Sequence, residues 1–201
     1  TIEEREWFAE TLERRLSEPI STETRCQIAA EMLKSQAFDQ FLAIKFVSFK
    51  RYGGEGAESM MAFFHEFFKL ASSSGLEKIV LAMPHRGRLN LLTGMLHFPP
   101  EKLFRKLRGL PEFPDDVKAT GDVPSHFISS VDLDINNRKL HVSMLYNPSH
   151  LEAVNPVSMG KTRGVMQAIK EGGYCEDGKS KWSDKVLNLQ VHGDAAYAGQ
   201  G

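Results

Sequence analysis

Cysteine is nearly missing from this chain: Cys26 and Cys175 are the only two among 201 residues. Two thiols cannot build a disulfide framework, and these lack the paired spacing of a metal site, so they read as inert and a reducing compartment is the simpler expectation. An excess of charge of either sign is missing too. Lysine and arginine total 25 against 26 aspartates and glutamates, a net charge of -1. That balance excludes the global field a nucleic-acid or membrane-surface partner would exploit, so any anion site must be local. No uninterrupted apolar run approaches the roughly 20 residues of a membrane span, and the first residues carry Glu3, Glu4, Glu6 and Glu10 in place of a basic targeting ramp. Internal repeats and low-complexity tracts are also lacking. What is present is 41% hydrophobic and 25% charged residues, the composition of one ordinary globular core.

Thr1 and Glu4 form a capping-box pattern, and Trp7, Phe8, Leu12 and Leu16 follow at helical spacing until Pro19 ends the run. Ser21 and Glu23 open a second helix with Ile28, Ala29, Met32 and Leu33 on one stripe, and Ser35 starts a third carrying Phe38, Phe41, Leu42 and Phe46. Residues 1–49 therefore read as a helical lead-in. A glycine-rich loop, Lys50 to Gly56, then opens a strongly apolar helix with Met60, Met61, Phe64, Phe67 and Phe68. Lys78 to Met83 is a short apolar run bounded by turn formers, hence a buried strand, followed by a helix through Leu89, Leu92 and Leu96. Leu140 to Leu145 and Val186 to Val191 supply further strands. This order predicts an α/β domain over residues 50–201, with a mostly parallel sheet flanked by helices. Phe98 to Pro124 holds Pro99, Pro100, Pro111 and Pro114 around one short basic helix and reads as a surface excursion, and Gly172 to Ser183 is polar and glycine-rich.

Each of these strands runs into a loop of polar residues, the place where ligands collect in open α/β sheets. After the first come Pro84, His85, Arg86, Gly87 and Arg88. Arg86 and Arg88 have the planar fork that grips phosphate or carboxylate, and His85 exchanges protons near neutral pH. A solvated basic turn opening a helix would use the same residues. His126, with Ser129 and Ser130 close behind, sits where an irregular loop would place its ring near a polar ligand or simply at the surface. Asn147, Pro148, Ser149, His150, Leu151 and Glu152 follow another strand, with Ser149 suited to cap the next helix. The last strand runs into His192, Gly193 and Asp194, where a carboxylate beside small residues suits a divalent cation held by a phosphorylated ligand, or a turn. Three such loops converging on one rim weigh more than any alone.

In these loops the chain resembles the thiamine-diphosphate-dependent dehydrogenase subunits of the 2-oxoglutarate dehydrogenase family. The residues that carry the likeness are His85-Arg86-Gly87-Arg88-Leu89-Asn90, Asn147-Pro148-Ser149-His150-Leu151-Glu152, and His192-Gly193-Asp194-Ala195-Ala196 through Gly199-Gln200-Gly201. Within the family the likeness is greater to the mitochondrial branch acting on 2-oxoadipate, through Lys50 to Ser59, Asn90 to Gly94 and Phe104 to Leu110. The 2-oxoglutarate branch usually carries Phe where Tyr52 stands and Tyr where Ser125 stands. A smaller residue before His126 leaves room for one more methylene, and the Tyr52 hydroxyl adds a polar contact for a distal carboxylate. Such a difference is worth only about 1–3 kcal/mol, so overlapping activity on both acids is expected.

The resemblance implies the incomplete form of a thiamine-diphosphate-binding fold. It also implies oxidative decarboxylation of 2-oxoadipate, and of 2-oxoglutarate, with transfer of the acyl group to a lipoyl group. Arg86, Leu151, Asp194 and Ala195 would hold the cofactor, with Asp194 on Mg2+. His85, His126 and Ser149 would surround the substrate, with Ser130 and Tyr52 nearby. The implied partners are a lipoyl-bearing dihydrolipoamide acyltransferase, dihydrolipoamide dehydrogenase and a second copy of the full-length chain. The implied compartment is the mitochondrial matrix of a eukaryote, or otherwise the cytoplasm. Further magnesium ligands and the glutamate that activates the aminopyrimidine come from downstream in this family, so the 201 residues alone are expected not to turn over.

Overall fold

The amino-terminal pattern folds as two helices where three were expected. In the computed structural model, which describes residues 1–119, 121–148, 150–176 and 182–199, helix α1 (Ile2–Ser17) starts from the capping box of Thr1 and Glu4 and buries none of its residues. Trp7, Phe8, Leu12 and Leu16 are all exposed. Helix α2 (Thr22–Lys45) begins at Ser21, whose hydroxyl accepts the Thr24 N–H at 3.1 Å, and runs unbroken past Ser35. The helix start expected at Ser35 fails because its hydroxyl is turned inward, accepting from the Asn90 side-chain amide at 2.9 Å; a serine with a tertiary partner no longer competes for its own backbone. The stripe α2 buries is Glu31, Ser35, Asp39 and Leu42, while Leu33 and Phe41 are exposed. Its inner face is thus largely polar.

Helix α3 (Ser59–Ser73) buries Met61, Phe64 and Phe68 as the periodicity predicts. Then come β1 (Lys78–Ala82), α4 (Arg88–Gly94), α5 (Pro100–Leu107), β2 (Ser129–Ile135), β3 (Arg138–Met144), α6 (Val154–Ala168), β4 (Val186–Gln190) and α7 (Asp194–Gly199). The surface excursion is partly corrected: Leu103 of α5 is fully buried, and Phe98, Phe104 and Leu107 pack against the core.

The sheet order is β2-β3-β1-β4. Strand β1 pairs in parallel with β3, Leu81 opposite Met144, and with β4, Leu81 opposite Leu189. The mostly parallel sheet is therefore found, with one addition: β2, absent from the expected strands, lies antiparallel on β3. The β2–β3 hairpin turns at Asn136 and Asn137, with φ of 52° and 61°, the left-handed pair that a tight hairpin needs and asparagine tolerates.

Ile79 and Leu81 of β1 face one side with Leu140, Val142 and Met144, against the leucines of α4 and the phenylalanines of α3. Val80 and Ala82 face the other, against Val154 of α6. The chain thus leaves β1 toward one face of the sheet and leaves β3 toward the other. Adjacent parallel strands whose connections diverge in this way open a crevice at their carboxyl ends.

Candidate functional site

Three parallel strands bring their carboxyl ends to one rim, and β2, running the other way, begins at that rim and brings the 3-10 turn Pro124–His126 with it. A column of rings results. Lys50 Nζ lies 4.7 Å from the Tyr52 ring centroid, Tyr52 lies 4.8 Å from His85, and His85 stacks on His126 at 5.3 Å. His126 Nδ1 is 3.0 Å from Asp122 Oδ2. From the β3 loop, Asn147 Nδ2 comes within 3.5 Å of His85 Nε2. Burial holds the His85 pKa below the usual histidine range, opposed by a hydrogen bond to the Asn147 backbone and reinforced by the charges of His126, Arg88 and Lys50. His85 thus enters the neutral range uncharged, able to donate from one nitrogen and accept at the other.

Behind this column sits Arg88, fully buried. Its guanidinium donates to the carbonyls of Phe127 (2.7 and 3.1 Å), Met83 (3.1 Å) and Leu145. Those carbonyls belong to the segments after the His126 turn, β1 and β3, so one side chain pins three walls of the site. Burial lowers its pKa to about 10, which leaves it charged at neutral pH.

The loop that carries Tyr52 is held from both sides. Gly87, at φ +67°, donates its N–H to the carbonyls of Tyr52 (3.0 Å) and Gly53 (3.2 Å). Across the loop, the Gly54 N–H donates to Asp39 Oδ2 at 2.8 Å. Burial raises the Asp39 pKa; the nearby Asn90 side-chain amide and the Gly54 N–H oppose that and Glu55 adds to it. Tyr52 itself sits at φ +49°, a left-handed conformation that is uncommon outside glycine and asparagine.

At the third loop, His192 Nδ1 lies 3.1 Å from Glu152 Oε1, off the line a hydrogen bond requires, since that oxygen has no hydrogen-bond partner. His192 Nε2 is 3.2 Å from Gln190 Oε1. The β3 and β4 loops are therefore joined as the β1 and β3 loops are. At this rim Asn147 Oδ1 is buried without a hydrogen-bond partner, and Glu152 Oε1 has only the His192 contact; buried polar atoms without partners are rare enough to mark a place where a ligand completes the set. Asp194 opens α7 and is exposed.

No protein-family model matches the chain. The 2-oxoadipate dehydrogenase complex component E1 of Rattus norvegicus is 58% identical to it over 200 residues, 99% of this chain and 22% of that protein. The Danio rerio protein of the same name is 58% identical over 202 residues, 100% of this chain and 22% of its own length. A 2-oxoglutarate dehydrogenase E1 component from Brucella ovis is 38% identical over 201 residues, 98% and 20%. The chain belongs to the family of 2-oxoadipate and 2-oxoglutarate dehydrogenase E1 components. It spans about a fifth of the length of these relatives.

Among the residues singled out in this E1 segment, Tyr52, His85 and His126 are brought into contact. Arg86 follows directly, exposed, its guanidinium donating to the Glu55 carbonyl at 3.1 Å. Leu151 is half-buried beside Glu152, and Asp194 and Ala195 are exposed on the neighbouring β4 loop. Ser130 belongs to a separate group on β2 and β3: its hydroxyl lies 3.1 Å from His141 Nε2, whose Nδ1 lies 2.7 Å from Asp132. Ser149 lies outside the described residues; α6 begins at Val154, with Ala153 at its cap position. For Arg88 the structural alternative is the one found: it is fully buried, and four of its five N–H donors go to backbone carbonyls. Asp39, Asp122 and Asn90 were missed. The one sequence signal for Asp39 is its four-residue spacing from Ser35 on a helix, a polar stripe where an apolar one belongs.

Proposed function

We propose that the whole protein is the decarboxylating E1 component of a 2-oxo acid dehydrogenase complex, acting on 2-oxoadipate and also on 2-oxoglutarate, with thiamine diphosphate and Mg2+. The observation that carries this reading is the rim itself: Tyr52, His85 and His126 in one column, beside a β3 loop whose buried Asn147 Oδ1 and Glu152 Oε1 lack hydrogen-bond partners. The donor set fits the cofactor. No group of three or more His, Cys, Asp or Glu side chains that could hold a metal converges among the described residues, so a cation at Asp194 would lean on one protein carboxylate and on diphosphate oxygens, the manner in which Mg2+ is usually held. Arg86 supplies a diphosphate donor, while Leu151 and Ala195 offer an apolar wall and a small one.

When bound, thiamine diphosphate supplies the nucleophilic carbon and the electron sink for loss of carbon dioxide. The residues of this chain do the rest. Neutral His85 donates a proton or hydrogen bond to the substrate's 2-oxo oxygen or carboxylate, and His126, oriented by Asp122, faces the same group. Tyr52, with Lys50 above its ring, meets the distal carboxylate, and the small buried Ser125 beside His126 makes room for the longer acid. The acyl group passes to a lipoyl group of the acyltransferase partner. Because a relative named for 2-oxoglutarate matches nearly the whole chain, the same chemistry with that acid as main substrate is the second reading.

Calorimetry of the full-length protein tests the proposal. Thiamine diphosphate should bind in a Mg2+-dependent manner, and 2-oxoadipate should then release carbon dioxide with the higher kcat/KM of the two acids. Absence of cofactor affinity would instead make the protein a non-catalytic assembly module of the complex.

A further inference from the structure

We propose that Asp39, a buried carboxylate of helix α2, is a positioning residue that sets Tyr52 for reading the far end of the substrate. The inference rests on the reading of Tyr52 given above and extends it to a residue that touches neither substrate nor cofactor.

Asp39 is 2% exposed. Its Oδ2 accepts the Gly54 N–H at 2.8 Å, and its Oδ1 has no partner. A buried carboxylate with one oxygen unpaired is a poor way to stabilise a helix stripe, and an apolar side chain of similar volume would serve stability as well or better. What the carboxylate provides is a fixed anchor for the backbone two residues from Tyr52. The loop has no slack against it: a Cβ built on Gly54 would come within 3.2 Å of Ser35 Oγ and 3.5 Å of Asn90 Nδ2. On the opposite side Gly87 holds the Tyr52 and Gly53 carbonyls. Between these two clamps Tyr52 keeps its left-handed backbone, a state that persists only where the surroundings over-determine it. The phenol ring is thereby held 4.8 Å from His85. The groups facing Asp39 are Asn90 from α4 and Glu55 and Arg51 from the loop itself, so α2, α4 and the loop meet at one carboxylate.

The test is the ratio of kcat/KM for 2-oxoadipate to that for 2-oxoglutarate, measured on the full-length holoenzyme. Tyr52→Phe should lower the ratio roughly ten- to a hundredfold, the loss of one hydrogen bond to a charged group. Asp39→Leu, which removes the acceptor but fills the space, should lower it to a similar extent, and the double variant should fall no further than the larger single effect. Asp39→Asn keeps an acceptor for the Gly54 N–H and should restore most of the parental ratio. A parental ratio in Asp39→Leu alongside a shifted one in Tyr52→Phe overturns the role of Asp39 alone. An unchanged ratio in Tyr52→Phe overturns the reading of Tyr52, and this proposal with it. Should Asp39→Leu not fold, Gly54→Ala disturbs the same contact from the loop side: a lowered ratio supports the anchor and a parental one overturns it.

Discussion

His85 and His126 stack nearly parallel, their planes 20° apart and their centroids separated by 5.3 Å. Two imidazolium ions would repel strongly in that arrangement, and burial already disfavours the charge on His85. The folded chain therefore binds the His85 proton less readily than the unfolded chain. Stability from this site is complete above the ordinary histidine value near pH 6.5 and falls as the pH drops through it toward the lowered folded value. Urea midpoints measured between about pH 5 and 7.5 should show this decline, and His85→Asn should make the profile flatter over that range.

Arg88 joins three segments through four hydrogen bonds from one buried guanidinium. Arg88→Met keeps the volume but leaves the Phe127, Met83 and Leu145 carbonyls unpaired, at a cost of about 3–5 kcal/mol. Arg88→Lys retains charge without the planar fork and should recover less than half of that. Chemical denaturation of the full-length protein measures both.

Asp122 lies 3.0 Å from His126 Nδ1 and also accepts the Val123 N–H at 2.7 Å. The Val123 bond comes first, and His126 second, in holding its carboxyl below the usual range. The pairing is present above the ordinary carboxylate range and is lost only as the pH falls through the lowered value, so it is intact at neutral pH. The carboxylate beside Nδ1 fixes the orientation of the His126 ring. Asp122→Asn should cut kcat about tenfold with little change in KM, while Asp122→Glu restores part of the rate.

Asp194 is exposed, so Asp194→Asn should leave the melting temperature of the cofactor-free protein within a degree or two. If it is the one protein carboxylate on Mg2+, the same change should weaken Mg2+-dependent thiamine diphosphate affinity at least tenfold, roughly 1.4 kcal/mol or more. Isothermal titration with and without Mg2+ separates this from a loss of folding.

The rim was legible in the sequence because it follows from strand ends. Lys78 to Met83, Leu140 to Leu145 and Val186 to Val191 are apolar runs with polar loops after each, and parallel pairing puts those loops side by side. Strand β2 was not found, although Val131, Leu133 and Ile135 alternate with polar residues up to the Asn136-Asn137 turn; Asp132 and Asp134 lower the apparent strand preference, and the exposure of that edge is a tertiary fact. The roles of Arg88 and Asp39 were illegible for a deeper reason. Whether a guanidinium meets a ligand or three carbonyls depends on segments up to 57 residues apart, and local spacing carries nothing about them. Helix α1 shows the converse: its apolar stripe was read correctly as a pattern, yet Trp7 and Phe8 stay exposed, since periodicity says which face is apolar and not what covers it.

Gly87 gives the most local check on this geometry. Its φ of +67° is one that a side chain opposes by roughly 1 kcal/mol, through contact of Cβ with the neighbouring carbonyl. A Cβ there would also lie 2.6 Å from Met60 Cε, but that methyl ends a flexible side chain and can swing aside. Strain in the backbone, not the contact, should therefore dominate, and Gly87→Ala should cost about 1–2 kcal/mol. Met60→Ala placed in the same background would remove the contact without relieving the strain. If the double variant recovers most of the lost stability in denaturant titrations, the crowding at Met60 governs the position and the backbone account of Gly87 is wrong. If it recovers little, the left-handed turn is what glycine is there to provide, and with it the N–H that holds Tyr52 in place.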